Sequence, residues 1–95
     1  MKRQHKFAQQ RMWIQDFIRQ LKANTPCADC KKRHPYYVQE FDHLASRGKK
    51  SFNISDISRK TINIKLLFAE LAKCEIVCSN CHKIRTYKRA KARVV

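Results

Sequence analysis

Residues 74–86 read CEIVCSNCHKIRT and hold three of the chain's five cysteines and one of its four histidines. Cys78 and Cys81 stand three apart, as do Cys27 and Cys30 in the upstream segment CADC. Thiolates at i and i+3 bite a metal through a tight turn, and two such pairs complete the tetrahedral four-sulfur set of a closed structural zinc site. The long separation between the pairs means that the metal would tie the start of the domain to its end. Buried free thiols, or a redox pair of the thioredoxin type, explain the pattern less well, because two pairs are present and no βαβ pattern surrounds either. Cys74 reads as a small apolar residue at the end of a helix.

His82 follows the last of these thiols. Neighbouring residues on a helix point about 100° apart, so a Cys81 that faces zinc turns His82 toward another surface, where a second metal could bind. Arg85 and Thr86 lie three and four residues on and share its face, which sets a guanidinium beside any phosphate near His82. A partner for His82 must come from elsewhere, and Asp42-His43 is the chain's one Asp-His pair. A carboxylate from Asp42 and the imidazole of His82 suit a small divalent cation that keeps positions open for water and phosphate oxygens. Successive side chains of a strand alternate, so Asp42 and His43 can serve one phosphate only if the strand bends there. Taken singly, an Asp-His pair is more often a cap or a solvated pair.

The elements that must position these residues follow from periodicity. Ile14, Phe17, Ile18 and Leu21 recur at helical spacing within residues 7–21, predicting an amphipathic N-terminal helix whose stripe faces the core. Trp13 lies off its centre, and pairing of two copies through this helix is the alternative to core packing there. The helix should stop at Asn24-Thr25-Pro26, leaving Cys27–Cys30 as a knuckle. The run YYVQEFDH predicts a strand of about five residues ending at Asp42-His43. A cationic loop, LASRGKKSFNIS, follows, with a positive φ expected at Gly48. Ile64, Leu67, Phe68 and Leu71 predict a second amphipathic helix packed on the first, and Glu75-Ile76-Val77 a short strand into the second knuckle. A last helix should start within CSNC and run to about Ala92.

Ninety-five residues make one small α+β domain, spanning 1–95, for which a metal clasp is useful. Within it, residues 1–24 form the helix, 25–88 the zinc-clasped core and 89–95 a basic tail. Lysine and arginine number 22 against 7 acids, a formal charge of +15 that draws polyanions and makes nucleic acid the leading partner. A membrane is disfavoured, because the aromatic residues are scattered rather than gathered on one anchoring helix, and no apolar stretch approaches the roughly 18 residues of a span. The segment after MKRQHK is unlike a signal peptide, so a cytoplasmic location is expected.

CxxC, then a strand ending in FDH, then CxxCH opening a helix: this combination resembles the HNH, or ββα-metal (His-Me finger), endonucleases, in particular the zinc-containing branch that includes phage endonuclease VII. The segments FDHLASRGKKSFNIS and KCEIVCSNCHKIRT are similar to small phage and bacterial HNH proteins, and the resemblance covers about residues 25–88. It implies metal-dependent hydrolysis of DNA phosphodiesters, with Asp42 binding the catalytic cation, His43 as the general base and His82 as the metal ligand on the helix. The cation it implies is magnesium or manganese. The middle asparagine of the family pattern is assigned to Asn53, with Asn63 behind it, and Thr86 stands where many relatives place a further histidine. Lys49, Lys50, Arg85, Lys88 and Arg89 are the expected phosphate contacts, and Arg85 is also expected to stabilise charge in the reaction. The resemblance also leaves room for a homodimer through the N-terminal helix or a place in a larger phage complex. The rival reading is a non-catalytic zinc-knuckle module that binds nucleic acid by charge alone, which leaves Asp42, His43 and His82 without a purpose.

Overall fold

The computed structural model describes residues 2–54 and 63–94. Among them it shows a small α+β domain of three helices and one antiparallel pair of strands, in the order α1 (Lys2–Asn24), β1 (Gln39–His43), α2 (Ile64–Leu71), β2 (Cys74–Cys78) and α3 (Ser79–Val94). The part of the loop that falls on residues 55–62 lies outside the described residues.

Helix α1 starts earlier than its apolar stripe and stops at Asn24, two residues before Pro26, because the residue preceding a proline is driven out of helical geometry. Its end is held from the sheet: buried Gln39 donates through Nε2 to the carbonyls of Lys22 (3.3 Å) and Thr25 (2.7 Å). Ile14 is buried in a core with Ile54, Leu67 and Cys74, and Ile18, Phe41, Phe52, Ile64 and Leu71 close around it. The two amphipathic helices meet there as their stripes predict, and Phe17 also sets its ring edge-on to Phe68 at 5.6 Å. Trp13 stacks on Phe17 with 54% of its surface exposed, so it extends the apolar stripe outward rather than entering the core.

The first strand is shorter than YYVQEFDH suggests. Pro35, with φ fixed at −55°, initiates a 3-10 turn over Tyr36–Val38 that is closed by Val38 N–H donating to the Pro35 carbonyl at 3.0 Å, and extended pairing begins only at Gln39. From there β1 runs opposite β2 in continuous register, Gln39 facing Cys78 and His43 facing Cys74. The bend expected at His43 is therefore absent: a paired strand keeps the alternation of its side chains.

After β1, Leu44 N–H bonds the Lys73 carbonyl at 2.9 Å, a second short turn covers Ala45–Arg47, and Gly48 takes φ +126°, a conformation side chains rarely tolerate. Asn63 caps α2, its Oδ1 accepting from Lys65 N–H at 2.8 Å. That role separates it from Asn53, which lies beside the histidines. Helix α3 begins directly after Cys78, and Ser79 Oγ ties its first turn to β1 through the Val38 carbonyl at 3.0 Å. No helix among the described residues is long and apolar enough to cross a membrane.

Candidate metal and nucleic-acid site

The two knuckles meet. At the first, Lys31 takes φ +65°, which lets its N–H reach back to the Cys27 carbonyl while Cys27 N–H bonds the Lys32 carbonyl, both at 2.9 Å. Ala28 N–H then bonds the Ile76 carbonyl at 2.9 Å and stitches this turn to β2, which delivers Cys78, while the first turn of α3 delivers Cys81. The four sulfurs of Cys27, Cys30, Cys78 and Cys81 all lie within 4.8 Å of one another. Zinc–sulfur bonds of about 2.3 Å put tetrahedral sulfurs about 3.8 Å apart, so the set needs only a small contraction to close on the ion.

The surroundings suit thiolates. Cys78 N–H points at Cys27 Sγ (3.3 Å) and Cys81 N–H at Cys78 Sγ (3.5 Å). Desolvation pushes Cys27 up, but backbone N–H groups of Cys30, Cys78 and Asp29 outweigh it and bring the thiol down to about 6. Cys81, hydrogen-bonded to the Cys78 sulfur, is pushed up to about 12. Backbone donors thus favour a thiolate at Cys27, and the donor set of the cluster is consistent with structural zinc. His34 Nε2 sits 3.6 Å from Cys30 Sγ, at the edge of this cluster. Cys74 stands apart in the other core, its thiol pushed to about 11 by burial.

His82 faces away from the sulfurs, as the helical geometry requires. Its Nδ1 lies 2.6 Å from Glu40 Oε1, and Glu40 is itself held by Ser79 Oγ at 3.2 Å. Its Nε2 lies 3.4 Å from Asp42 Oδ1. With Nδ1–H donated to Glu40, the neutral ring turns the Nε2 lone pair toward a carboxylate oxygen, and two acceptors so close need a proton or a cation between them. Adjacent ligands of an octahedral cation with bonds of about 2.1 Å lie roughly 3 Å apart, near the observed gap.

Asp42, buried beneath α3, is also the target of two arginines. Arg89 bonds both carboxylate oxygens (2.8 and 2.7 Å) and Arg85 Nη1 bonds Oδ2 (2.8 Å). Desolvation works against the charge, but these bonds outweigh it and hold Asp42 at about 2. Arg85 is committed further, to Asp29 through Nε (2.7 Å) and Nη2 (2.6 Å) and to Glu75 at 2.8 Å, and its pKa is raised, chiefly by the Asp29 bonds. The residue expected to greet a phosphate therefore fastens the first knuckle to both strands.

His43 leaves the opposite face of β1. Its Nε2 lies 2.9 Å from Oε2 of Glu70, a carboxylate buried on α2 that also accepts from Ser51 N–H and Lys73 Nζ, each at 3.0 Å. Lys73 continues to the Lys49 carbonyl (2.7 Å) and Ser51 Oγ (3.1 Å), so Glu70 and Lys73 together fix the loop after Gly48. One cleft of about 250 Å³ is lined by His43, Asn53, Lys50, Glu40 and His82, together with Lys22, Ile18, Phe41 and Ile54. Lys22 holds its ammonium 5.1 Å from the Phe41 ring, and burial lowers its pKa against the pull of Glu40.

The structure thus brings His43, Asn53, His82 and Lys50 to one cleft and sets Asp42 against His82. Lys49 lines a neighbouring hollow with His43, and Lys88 lies exposed on α3. Thr86 Oγ1 bonds the His82 carbonyl at 3.0 Å. Sequence reasoning missed Glu40, Glu70, Asp29, Glu75 and Lys22. Strand alternation places Glu40 on the face of Asp42 and could have found it, whereas Glu70 reaches His43 only through tertiary packing. Compared with protein-family models, with curated proteins and with solved structures, the chain has no significant match in any of the three.

Proposed function

We propose that this chain is a metal-dependent DNA endonuclease of the HNH, or ββα-metal, type. The observation that carries the reading is the convergence on one cleft of His43 from the end of a strand, His82 from the first turns of a helix, and Asn53 from the loop between. Asp42 leaves the face of the unbent strand opposite to His43, so it bears on the cleft only through His82, whose ring nitrogen lies 3.4 Å from its carboxylate. Strand, strand and helix in the order β1, β2, α3 fit a ββα arrangement, and the four-cysteine cluster fits its zinc-bearing branch.

In this reading Asp42 and His82 hold a magnesium or manganese ion, with Glu40 behind His82 keeping the ring turned and its proton on Nδ1. When bound, the ion supplies Lewis acidity toward the phosphate and the departing 3′ oxygen. His43 accepts the proton of the attacking water, and Asn53 and Lys50 stand on the same wall. Lys49, Lys50 and Lys88 contact the phosphate backbone, and Arg89 joins them once it leaves Asp42. The products expected are a 5′-phosphate and a 3′-hydroxyl. Supercoiled plasmid incubated with zinc-loaded protein and magnesium or manganese tests this: metal-dependent nicking that chelator and His43→Ala both abolish is expected, and equal cleavage by His43→Ala would remove the basis of the assignment.

One observation favours the non-catalytic zinc-knuckle binder. Arg85 and Arg89 already satisfy the charge of Asp42, as they would in a purely structural network. In that case parent and His43→Ala proteins both shift the plasmid and leave it uncut.

A further inference from the structure

We infer that Glu70 is the positioning residue of the site: it fixes the His43 imidazole with its proton on Nε2, so that Nδ1 is the atom that takes a proton from water. This deepens the nuclease reading and rests on it for the role of His43.

The argument is one of donors and acceptors. Glu70 Oε2 receives the backbone N–H of Ser51 at 3.0 Å, and Oε1 receives the Lys73 ammonium at 3.0 Å. Neither group can accept a hydrogen bond, and together with the charge of Lys73 they hold Glu70 ionised, its carboxyl lowered to about 2 against desolvation, so that both oxygens act as acceptors. The third contact, His43 Nε2 to Oε2 at 2.9 Å, is then a bond in which the ring donates. A neutral imidazole with its proton on Nε2 keeps its lone pair on Nδ1. The Glu70 side chain is 2% exposed and that of His43 16%, so water competes poorly for the bond. A buried carboxylate is costly unless fully paired. Here it is paired by three donors, one of them on the loop that lines the cleft and another the lysine that binds that loop. Its substitution should therefore act on the base and its loop, and leave the sulfur cluster untouched.

The test uses Glu70→Gln in zinc-loaded full-length protein, with Glu70→Asp as the second variant. Long-range ¹⁵N–¹H correlation spectra should show the parent's His43 as the Nε2–H tautomer, with a slowly exchanging proton. In Glu70→Gln that protection should be lost and the tautomers mixed. Cleavage at saturating DNA should fall about 10²-fold or more, the scale of a lost general base, while zinc content holds. Glu70→Asp should recover part of the rate. An Nδ1–H tautomer in the parent, or a Glu70→Gln enzyme with the parent's rate, would overturn the inference. Should Glu70→Gln fail to fold, the parent spectrum and Glu70→Asp decide it alone. If the parent does not cut DNA at all, the nuclease reading falls, and the tautomer still reports whether Glu70 positions the ring.

Discussion

Removing the metal should unfold the knuckle half of the molecule, and the size of the effect follows from what else holds it. The cluster around the sulfurs contains Cys27, Val77 and Cys78 as buried members, with Ala28, Cys30, Val38 and Cys81 partly buried against them. Four of these seven are the clustered cysteines, the donors a structural zinc would take. Val77 is fully buried and contributes about 1.5–3 kcal/mol, with smaller shares from Val38 and Ala28, a total of roughly 3–5 kcal/mol of apolar burial. Structural zinc contributes about 10–16 kcal/mol at neutral pH, comparable with or larger than the whole stability of an ordinary small domain. Chelation therefore removes most of what holds this half folded. It also leaves four thiol groups, one held down at about 6 and another pushed to about 12, within 4.8 Å of one another. The assay is thermal unfolding followed by far-ultraviolet circular dichroism, with zinc counted by a chromogenic chelator. Purified protein should carry one zinc per chain. Cys27→Ala should lose it together with the cooperative transition, whereas Cys74→Ala, in the other core, should keep it. A loss of even 3 kcal/mol lowers the midpoint by more than about 12 °C at this size. A chelated or Cys27→Ala protein melting within about 5 °C of the parent would refute the argument.

Acid should destabilise the fold through its buried carboxylates. Glu70 is lowered from 4.5 to about 2 and Asp42 from 3.8 to about 2, in each case against desolvation, by donors that surround the carboxylate. A depressed folded-state value means that the stabilisation is complete above the unfolded value and is lost as pH falls from about 4.5 toward 2; midpoints measured across that window should drop less steeply in Glu70→Gln. Arg89→Gln should free Asp42 for a cation and tighten manganese binding about tenfold in electron paramagnetic titrations, a change of about 1.4 kcal/mol, and unchanged affinity would speak against a cation at Asp42 and His82. Pairing of two copies through the exposed Trp13 and Phe17 stack predicts concentration-dependent sedimentation that Trp13→Lys abolishes without loss of zinc.

The sequence was most legible where one residue type has one geometry. Two CxxC pairs specify a pair of knuckles whatever lies between them, and Pro26 ends α1 because its ring forbids helical geometry before it. Periodicity located Ile14, Ile18, Ile64 and Leu67, which the folded chain packs together. The start of β1 was misplaced because Tyr36–Val38 have strand propensity, yet Pro35 initiates a turn that overrides it. The partners of the histidines were the least legible part. Glu70 lies 27 residues from His43, a separation that no local pattern spans, whereas Glu40 shares a strand face with Asp42 and only its pairing with His82, 42 residues on, was hidden. Arg85 shows the same limit: its helical face was readable, but not that Asp29, Asp42 and Glu75 would surround it.

The acids of this chain are spent almost entirely on its site. Of seven carboxylates, Asp29, Glu40, Asp42, Glu70 and Glu75 contact His43, His82, Arg85, Arg89 or Lys73, leaving Asp16, exposed on α1, and Asp56, outside the described residues. A chain with 22 lysines and arginines thus places its scarce negative charge where it orients a ring or a guanidinium, and not where it would neutralise the surface. Two consequences can be separated by experiment. Duplex affinity, which the proposed nuclease reading assigns to the unneutralised cations, should fall steeply with salt, the logarithm of the binding constant declining with a slope of about −0.9 for each phosphate neutralised. Glu40→Gln and Glu70→Gln should leave that slope within about one unit of the parent's and act on cleavage instead. A slope that flattens in either variant would mean that these carboxylates shape the DNA-binding surface itself, and their assignment to the two histidines would have to be withdrawn.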